Sequence, residues 1–193
     1  SPSVSHQPEA AESVNRALTT PSAHAEGKRA AESLWDKAHA GPIARCFAFV
    51  GPHLPLTTHF AIGNFLYDAL HSRSIAVRSD GTPRRSYLYA ADLTIWLWTI
   101  LCKGTPGRAY NVGSETSMSV AEVAALVAAA APKPLSIEIL VDILGKPDAS
   151  RPLEQYVPST QRAREELKLA EWVPLAEAIR KTILWYSEQT TPS

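Results

Sequence analysis

The chain has 193 residues, and its 19 Lys plus Arg are balanced by 19 Asp plus Glu, a formal net charge of zero. Apolar residues make up 45% and charged residues 20%, the composition of a globular protein long enough to bury a core. Neutrality argues against a nucleic-acid protein or a polybasic membrane-surface protein, both of which carry a basic excess. No stretch approaches the ~20 apolar residues of a membrane span.

Cys46 and Cys102 are far apart and in no metal-ligand spacing, so they are expected to be free thiols in a reducing compartment. The chain starts at Ser1 without Met and without a basic-then-apolar leader. It is therefore expected to be processed or a piece of something longer, and a cytoplasmic location is the default.

Along the chain, Ser1 to Thr20 is polar and aperiodic. Ser22 is a plausible N-cap for a helix from Ala23 to Ala40, which Gly41-Pro42 stops. The apolar run Ile43 to Val50, closed by Gly51-Pro52, predicts a buried parallel strand. Phe60, Phe65, Leu66, Ala69 and Leu70 have helical spacing, and Ile75 to Val77 is a short strand. Asp80-Gly81-Thr82-Pro83 is a turn, and Ser86 to Tyr89 is extended. Leu93, Trp96, Leu97, Ile100 and Leu101 form one helix face. Ala109 to Val112 is a strand, and Ser119 with Glu122 is a capping box for a helix to about Ala131. Ser136 to Leu140 reads as a strand, and Asp142 to Val157 as a long loop. Ser159 or Thr160 caps a helix to about Lys168. Pro174 opens the last one, whose inner face is Leu175, Ala178, Ile179, Thr182, Ile183 and Tyr186. Strands and helices alternate, which makes an α/β chain.

Bare spacing gives modest chemical signals. His24 and Lys28 lie four apart, on one face of the first predicted helix, where a cation can tune a neighbouring proton donor. The same pattern occurs on ordinary solvated helix faces. Arg84 and Arg85 follow a glycine turn, and guanidinium forks suit phosphates. Asp92 suits the N-terminal dipole of its own helix. The five Trp are expected mostly in the core or in helix packing. There is no G-x-G-x-x-G, Walker loop, H-E-x-x-H or nucleophile elbow, and no metal site.

The ordered set of blocks is more informative. Glu26-Gly27-Lys28-Arg29-Ala30-Ala31-Glu32 resembles the Tyr-x-x-x-Lys helix of the nucleotide-sugar epimerase/dehydratase family of extended short-chain dehydrogenases. Ala44 to Pro52 is similar to that family's strand ending in a Gly-Pro turn, and Asp80 to Asp92 resembles its "GDGtxxRdfvyvdD" block. Tyr110-Asn111-Val112-Gly113-Ser114 is similar to "YNvGs", and Tyr156 to Leu169 resembles the family's tail, with Ser159 where Asp is usual.

The resemblance covers the C-terminal part of such an enzyme. It implies an α/β fold: the C-terminal part of a Rossmann-type doubly wound sheet plus a small α/β substrate-binding domain. Residues 1–52 would be the remnant of the dinucleotide-binding domain with the catalytic helix, and 53–193 mainly the substrate domain, some segments returning to the Rossmann sheet. The glycine-rich dinucleotide loop would lie upstream of Ser1.

The family's chemistry uses NAD to pass through a transient 4-keto sugar, with a tyrosinate as base and a lysine that lowers its pKa and holds the nicotinamide ribose. Lys28 matches the lysine, as a catalytic and cofactor-binding residue, whereas the tyrosine position is His24. Arg85 matches the arginine on the nucleotide diphosphate or sugar, Asn64 a substrate-domain asparagine, and Arg151 a loop arginine on the nucleotide side. The expected partner is a nucleotide-diphosphate sugar, with neither nucleic acid nor membrane. A homodimer of the full-length protein is compatible with the helix carrying His24 and Lys28. Because of His24, the isolated chain is expected to be inactive, and the alternative is a degenerate, non-catalytic nucleotide-sugar-binding or scaffold protein.

Overall fold

The structure is a computed structural model that describes residues 23–38, 41–57, 60–140 and 155–189. In chain order the elements begin α1 (Ala23–Lys37), β1 (Ile43–Cys46), β2 (Phe49–Val50), α2 (Ala61–His71), β3 (Ser74–Val77), β4 (Arg84–Arg85) and β5 (Leu88–Tyr89). They continue with α3 (Ala90–Lys103), β6 (Ala109–Val112), β7 (Met118–Ser119), α4 (Val120–Ala130), β8 (Ser136–Ile139), β9 (Gln155–Tyr156), α5 (Gln161–Leu167) and α6 (Leu175–Gln189).

Most strand pairs are parallel. β1 pairs with β6, Ile43 opposite Ala109 and Cys46 opposite Val112. β2 pairs with β5 and β3 with β8, both parallel. β4 lies between antiparallel β7 and parallel β9, with Arg85 opposite Met118 on one side and Tyr156 on the other. The expected single strand over Ile43 to Val50 is thus two strands with different partners. It is also less buried than its apolar composition implies: Ala44 and Cys46 are exposed. Gly51 follows β2 where the chain passes so close to α3 that a Cβ would collide with the Ala90 Cβ.

Two cores form. In one, α2, α4 and α6 enclose Val50, Phe65, Leu66, Ile75, Val127 and Ile179. In the other, α3 and α5 cover β5 and β6 through Leu88, Trp96, Ile100, Tyr110, Val112 and Ala163. Each large apolar side chain so buried contributes roughly 1.5–3 kcal/mol. The capping box opens α4 as expected: Glu122 N–H donates to Ser119 Oγ at 3.1 Å and Ser119 N–H to Glu122 Oε2 at 2.6 Å. α6 buries the expected face, with Ala178, Ile179, Thr182 and Ile183 inside and Leu175 and Tyr186 at its margin. Pro174 stands just ahead of that helix, its carbonyl accepting from Ala178 N–H.

Several expectations are corrected. On α3, Leu97 and Leu101 point outward at 38% and 66% exposure, while Trp96 and Ile100 are buried. The helix is apolar all round, so periodicity could not choose its inner arc. Of the Trp residues, Trp96 is core, whereas Trp35, Trp98 and Trp172 are exposed. Trp185 lies half-buried against His53, 4.5 Å between ring centroids. Asp92 stands in the first turn of α3, as expected, but does not cap it: it is buried, and its Oδ2 accepts from the Trp172 and Val173 amides at 3.0 and 3.1 Å. Thr160 precedes α5 without capping it by its side chain; its Oγ1 donates instead to Glu115. The predicted cap Ser22 lies outside the described residues, as do residues 142–154 of the expected loop, whose end is instead strand β9 at Gln155–Tyr156. Both cysteines are free thiols.

Candidate functional site at the C-terminal end of β1

The pleat and register bring four sequence-distant side chains toward one place. α1 returns alongside β1, and the Lys28 ammonium acts on the Cys46 thiol that ends the strand. Immediately after it, Phe47 donates its amide N–H to Val112 O at 3.0 Å, which ties the strand exit to β6. The Phe47 ring packs on Tyr156 at 4.9 Å between centroids. Tyr156 is the register partner of Arg85, and paired positions on neighbouring strands place their side chains side by side. Gly113 permits this convergence, since a Cβ there would come within 2.9 Å of Pro158 and 3.2 Å of Phe47. In parallel α/β sheets, ligand crevices open at the carboxyl ends of the strands, and this cluster sits at such an end.

Electrostatics follow the geometry. Although Cys46 as a residue is exposed, partial withdrawal of its thiol from water raises it above its ordinary value, and Lys28 offsets part of the rise. Burial raises Tyr156, the Arg85 guanidinium pulls it down, and the Cys46 thiol pushes it up. Tyr87, buried beside Arg85, is raised by burial and lowered by the same guanidinium. Both phenols are therefore neutral donors at physiological pH. Arg85 Nη1 donates to Arg84 O at 2.9 Å, which sets the fork's direction. Its neighbour is structural: Arg84 donates to the hydroxyl and carbonyl oxygens of Ser117, both at 2.8 Å, and pairs with Glu122. Two cations flanked by neutral phenols suit an anionic, hydroxyl-rich ligand.

Of the residues singled out in the sequence, Arg85 is the register partner of Tyr156, and the Lys28 charge acts on Cys46. His24 stands one helical turn before Lys28, and its side chain lies outside the described residues. Asn64 is half-buried on α2, the helix that packs against β3, α4 and α6. Arg151 lies outside the described residues. Sequence reasoning missed Cys46, Tyr87 and Tyr156 as members of the cluster. All three belong to blocks that matched a family pattern, but only strand register shows that they adjoin. Among the described residues no cluster of His, Cys, Asp and Glu could hold a metal ion, and no helix is long and apolar enough to cross a membrane.

The sequence pattern of the NAD dependent epimerase/dehydratase family matches residues 2–113. The chain belongs to this family. It is 31% identical over 182 residues to the dTDP-D-glucose 4,6-dehydratase of Mus musculus, covering 84% of this chain and 47% of that protein. It is 30% identical over 190 residues to UDP-glucuronic acid decarboxylase 3 of Arabidopsis thaliana, covering 91% of this chain and 53% of that one. The chain thus spans about half the length of the curated relatives it matches.

The dTDP-glucose 4,6-dehydratase of Bacillus anthracis, solved in complex with NAD, superposes with a TM-score of 0.73 at 19% identity, over 90% of this chain and 54% of that one. The Bordetella bronchiseptica enzyme WbmF, solved with NAD+, has the same TM-score at 23% identity, over 95% and 58%. These likenesses establish the Rossmann-type epimerase/dehydratase fold. The family is NAD-dependent. A lysine ammonium is of the chemistry that holds ribose hydroxyls, and the Lys28 charge acts on Cys46 at the end of β1, while a glycine-rich phosphate loop is not among these residues.

Proposed function

We propose that this chain is the substrate-binding half of an NAD-dependent nucleotide-sugar dehydratase or epimerase that works through a transient 4-keto sugar. The observation that supports the reading is the packing at the end of β1, where Phe47 lies against Tyr156, the register partner of Arg85, and where the Lys28 charge acts on Cys46. Arg85 takes the diphosphate, a role suited to a planar fork, and Asn64 and Arg151 are the further substrate contacts of this reading. Tyr156 and Tyr87, kept neutral by burial, donate hydrogen bonds to ligand oxygens. Bound NAD supplies hydride acceptance and return.

The chain's own catalytic task is to remove the proton from the sugar hydroxyl as the carbonyl forms, and residue 24 occupies the position of the base. A neutral imidazole can accept that proton, but its nitrogen does not coincide with a phenolate oxygen, and catalytic geometry tolerates little displacement. Turnover by the chain as it stands is therefore low or nil. The protein acts in the cytoplasm in this reading.

Calorimetric titration with UDP- and dTDP-hexoses tests it. Binding is expected, weakened at least ~10-fold in Arg85→Ala by loss of a charge-assisted phosphate contact; absence of binding to both overturns the proposal. His24 favours a second reading, a non-catalytic nucleotide-sugar-binding or scaffold protein. In the full-length context, 4-keto sugar formation by the parent would sink that reading, whereas turnover that arises only on His24→Tyr would support it.

A further inference from the structure

α1 is an unusual site helix. Residues 26–31 are exposed, and so are Leu34 and Trp35. Among the described residues, polar links to the rest of the chain are ordered along the helix. Trp35 Nε1 donates to Gly41 O at 3.2 Å. One turn earlier, Glu32 Oε1 accepts from Arg45 Nε at 2.8 Å, with both side chains mostly buried at 25% and 17% exposure. A further turn earlier stands Lys28, whose charge lowers the Cys46 thiol. As the helix number falls from 35 to 28, the partner number rises from 41 to 46. α1 therefore runs antiparallel to β1, and the middle link is an ion pair of two partly buried side chains.

Lys28 and Glu32 are four apart, on one helix face about 6 Å from each other along the axis. Arg45 and Cys46 are adjacent on β1. A rotation of α1 that parts Glu32 from Arg45 also swings Lys28 away from the end of the strand. A guanidinium–carboxylate contact of this length, half withdrawn from water, is directional enough to prevent that rotation.

We propose that the Glu32–Arg45 ion pair sets the register of α1 against β1 and so holds the Lys28 ammonium over the C-terminal end of β1. Glu32 and Arg45 are positioning residues acting through Lys28. The inference rests on the nucleotide-sugar reading for the importance of Lys28, not for the clamp itself.

Cys46 reports the position of Lys28 without any ligand. In a Cys102→Ser background, Cys46 is the sole thiol, and its iodoacetamide alkylation is followed over about pH 7 to 10. Lys28→Gln is expected to move the alkylation midpoint up by roughly half a unit to one unit. Glu32→Gln is expected to move it up as well, because the ammonium drifts from the thiol. Removal of a nearby carboxylate with no change in position has the opposite sign and would move the midpoint down. In the Lys28→Gln background, Glu32→Gln gives no further rise. Arg45→Lys keeps a cation opposite Glu32 and retains most of the parent value.

An unchanged or lowered midpoint in Glu32→Gln overturns the clamp, and an unchanged midpoint in Lys28→Gln removes its premise. If circular dichroism shows that Glu32→Gln has lost helix, Glu32→Asp, with the carboxylate retained but withdrawn by one methylene, gives the same test; a rise supports the clamp and no rise overturns it. The titration uses neither nucleotide sugar nor NAD, so the clamp and the functional reading fail separately.

Discussion

Burial acts on three acidic side chains around the strand end in one direction. Tyr87, Tyr156 and Cys46 all hold their protons more tightly in the fold than in water, because desolvation penalises phenolate and thiolate alike. Unfolded, the tyrosines ionise near 10.0 and the thiol near 9.0. Between those values and the raised folded ones, the unfolded chain has lost protons that the folded chain keeps. By linkage, stability falls as pH rises through that window and is fully present below it. Urea midpoints measured from about pH 8 to 11 are expected to decline, with a slope for buried Tyr87 of up to about 1.4 kcal/mol per pH unit. Tyr87→Phe is expected to flatten the decline, and an equally steep profile in that variant would contradict the assignment.

Among the elements, α3 does the joining. From positions four apart it holds the link between α5 and α6: Trp96 Nε1 donates to Ala170 O at 2.8 Å, and Asp92 accepts two amides a few residues on. Neither bond replaces a helix cap. Each satisfies a backbone group in a stretch that has no ladder of its own, and buried backbone groups left unpaired are costly. Asp92→Ala is expected to cost about 2–3 kcal/mol in urea denaturation, since it leaves two amide donors without acceptors. A loss below about 0.5 kcal/mol would show that water replaces the carboxylate. The capping box of α4 is a local counterpart: Ser119→Ala is expected to cost about 1 kcal/mol, and an unchanged urea midpoint would argue against it.

At the scale of the molecule, the two cores leave apolar surface outside. Ile95 at 47%, Trp98 at 63% and Leu101 at 66% exposure line one side of α3, a helix without a charge between Asp92 and Lys103. Ile137 and Ile139 are exposed on β8, whose four residues are all exposed. Patches of this kind promote association in water, and unpaired strand edges add to it. The isolated chain is expected to be marginally stable and to self-associate in light scattering at micromolar concentration, less so when Trp98 and Leu101 are replaced by Glu and Lys. A sharp, reversible melt of a monomer would contradict this.

Much of the chain is legible without coordinates. The α4 capping box, the Ala109 to Val112 strand and the inner face of α6 depend on neighbours within a few residues, and the sequence carries those neighbours explicitly. Lys28 and Arg85 are singled out by blocks in the right order. Other features are set by partners far along the chain. Whether Leu97 faces core or solvent depends on which side of α3 meets β5 and β6, because that helix is apolar on every side. The partners of Asp92 lie about eighty residues away, at 172 and 173. Tyr156 joins Arg85 only because β9 pairs with β4 in one particular register, and a slip of one residue would turn it to the other face. Local pattern decides which residues can form an element; the packing of distant elements decides which of its faces is buried and which side chains share a site.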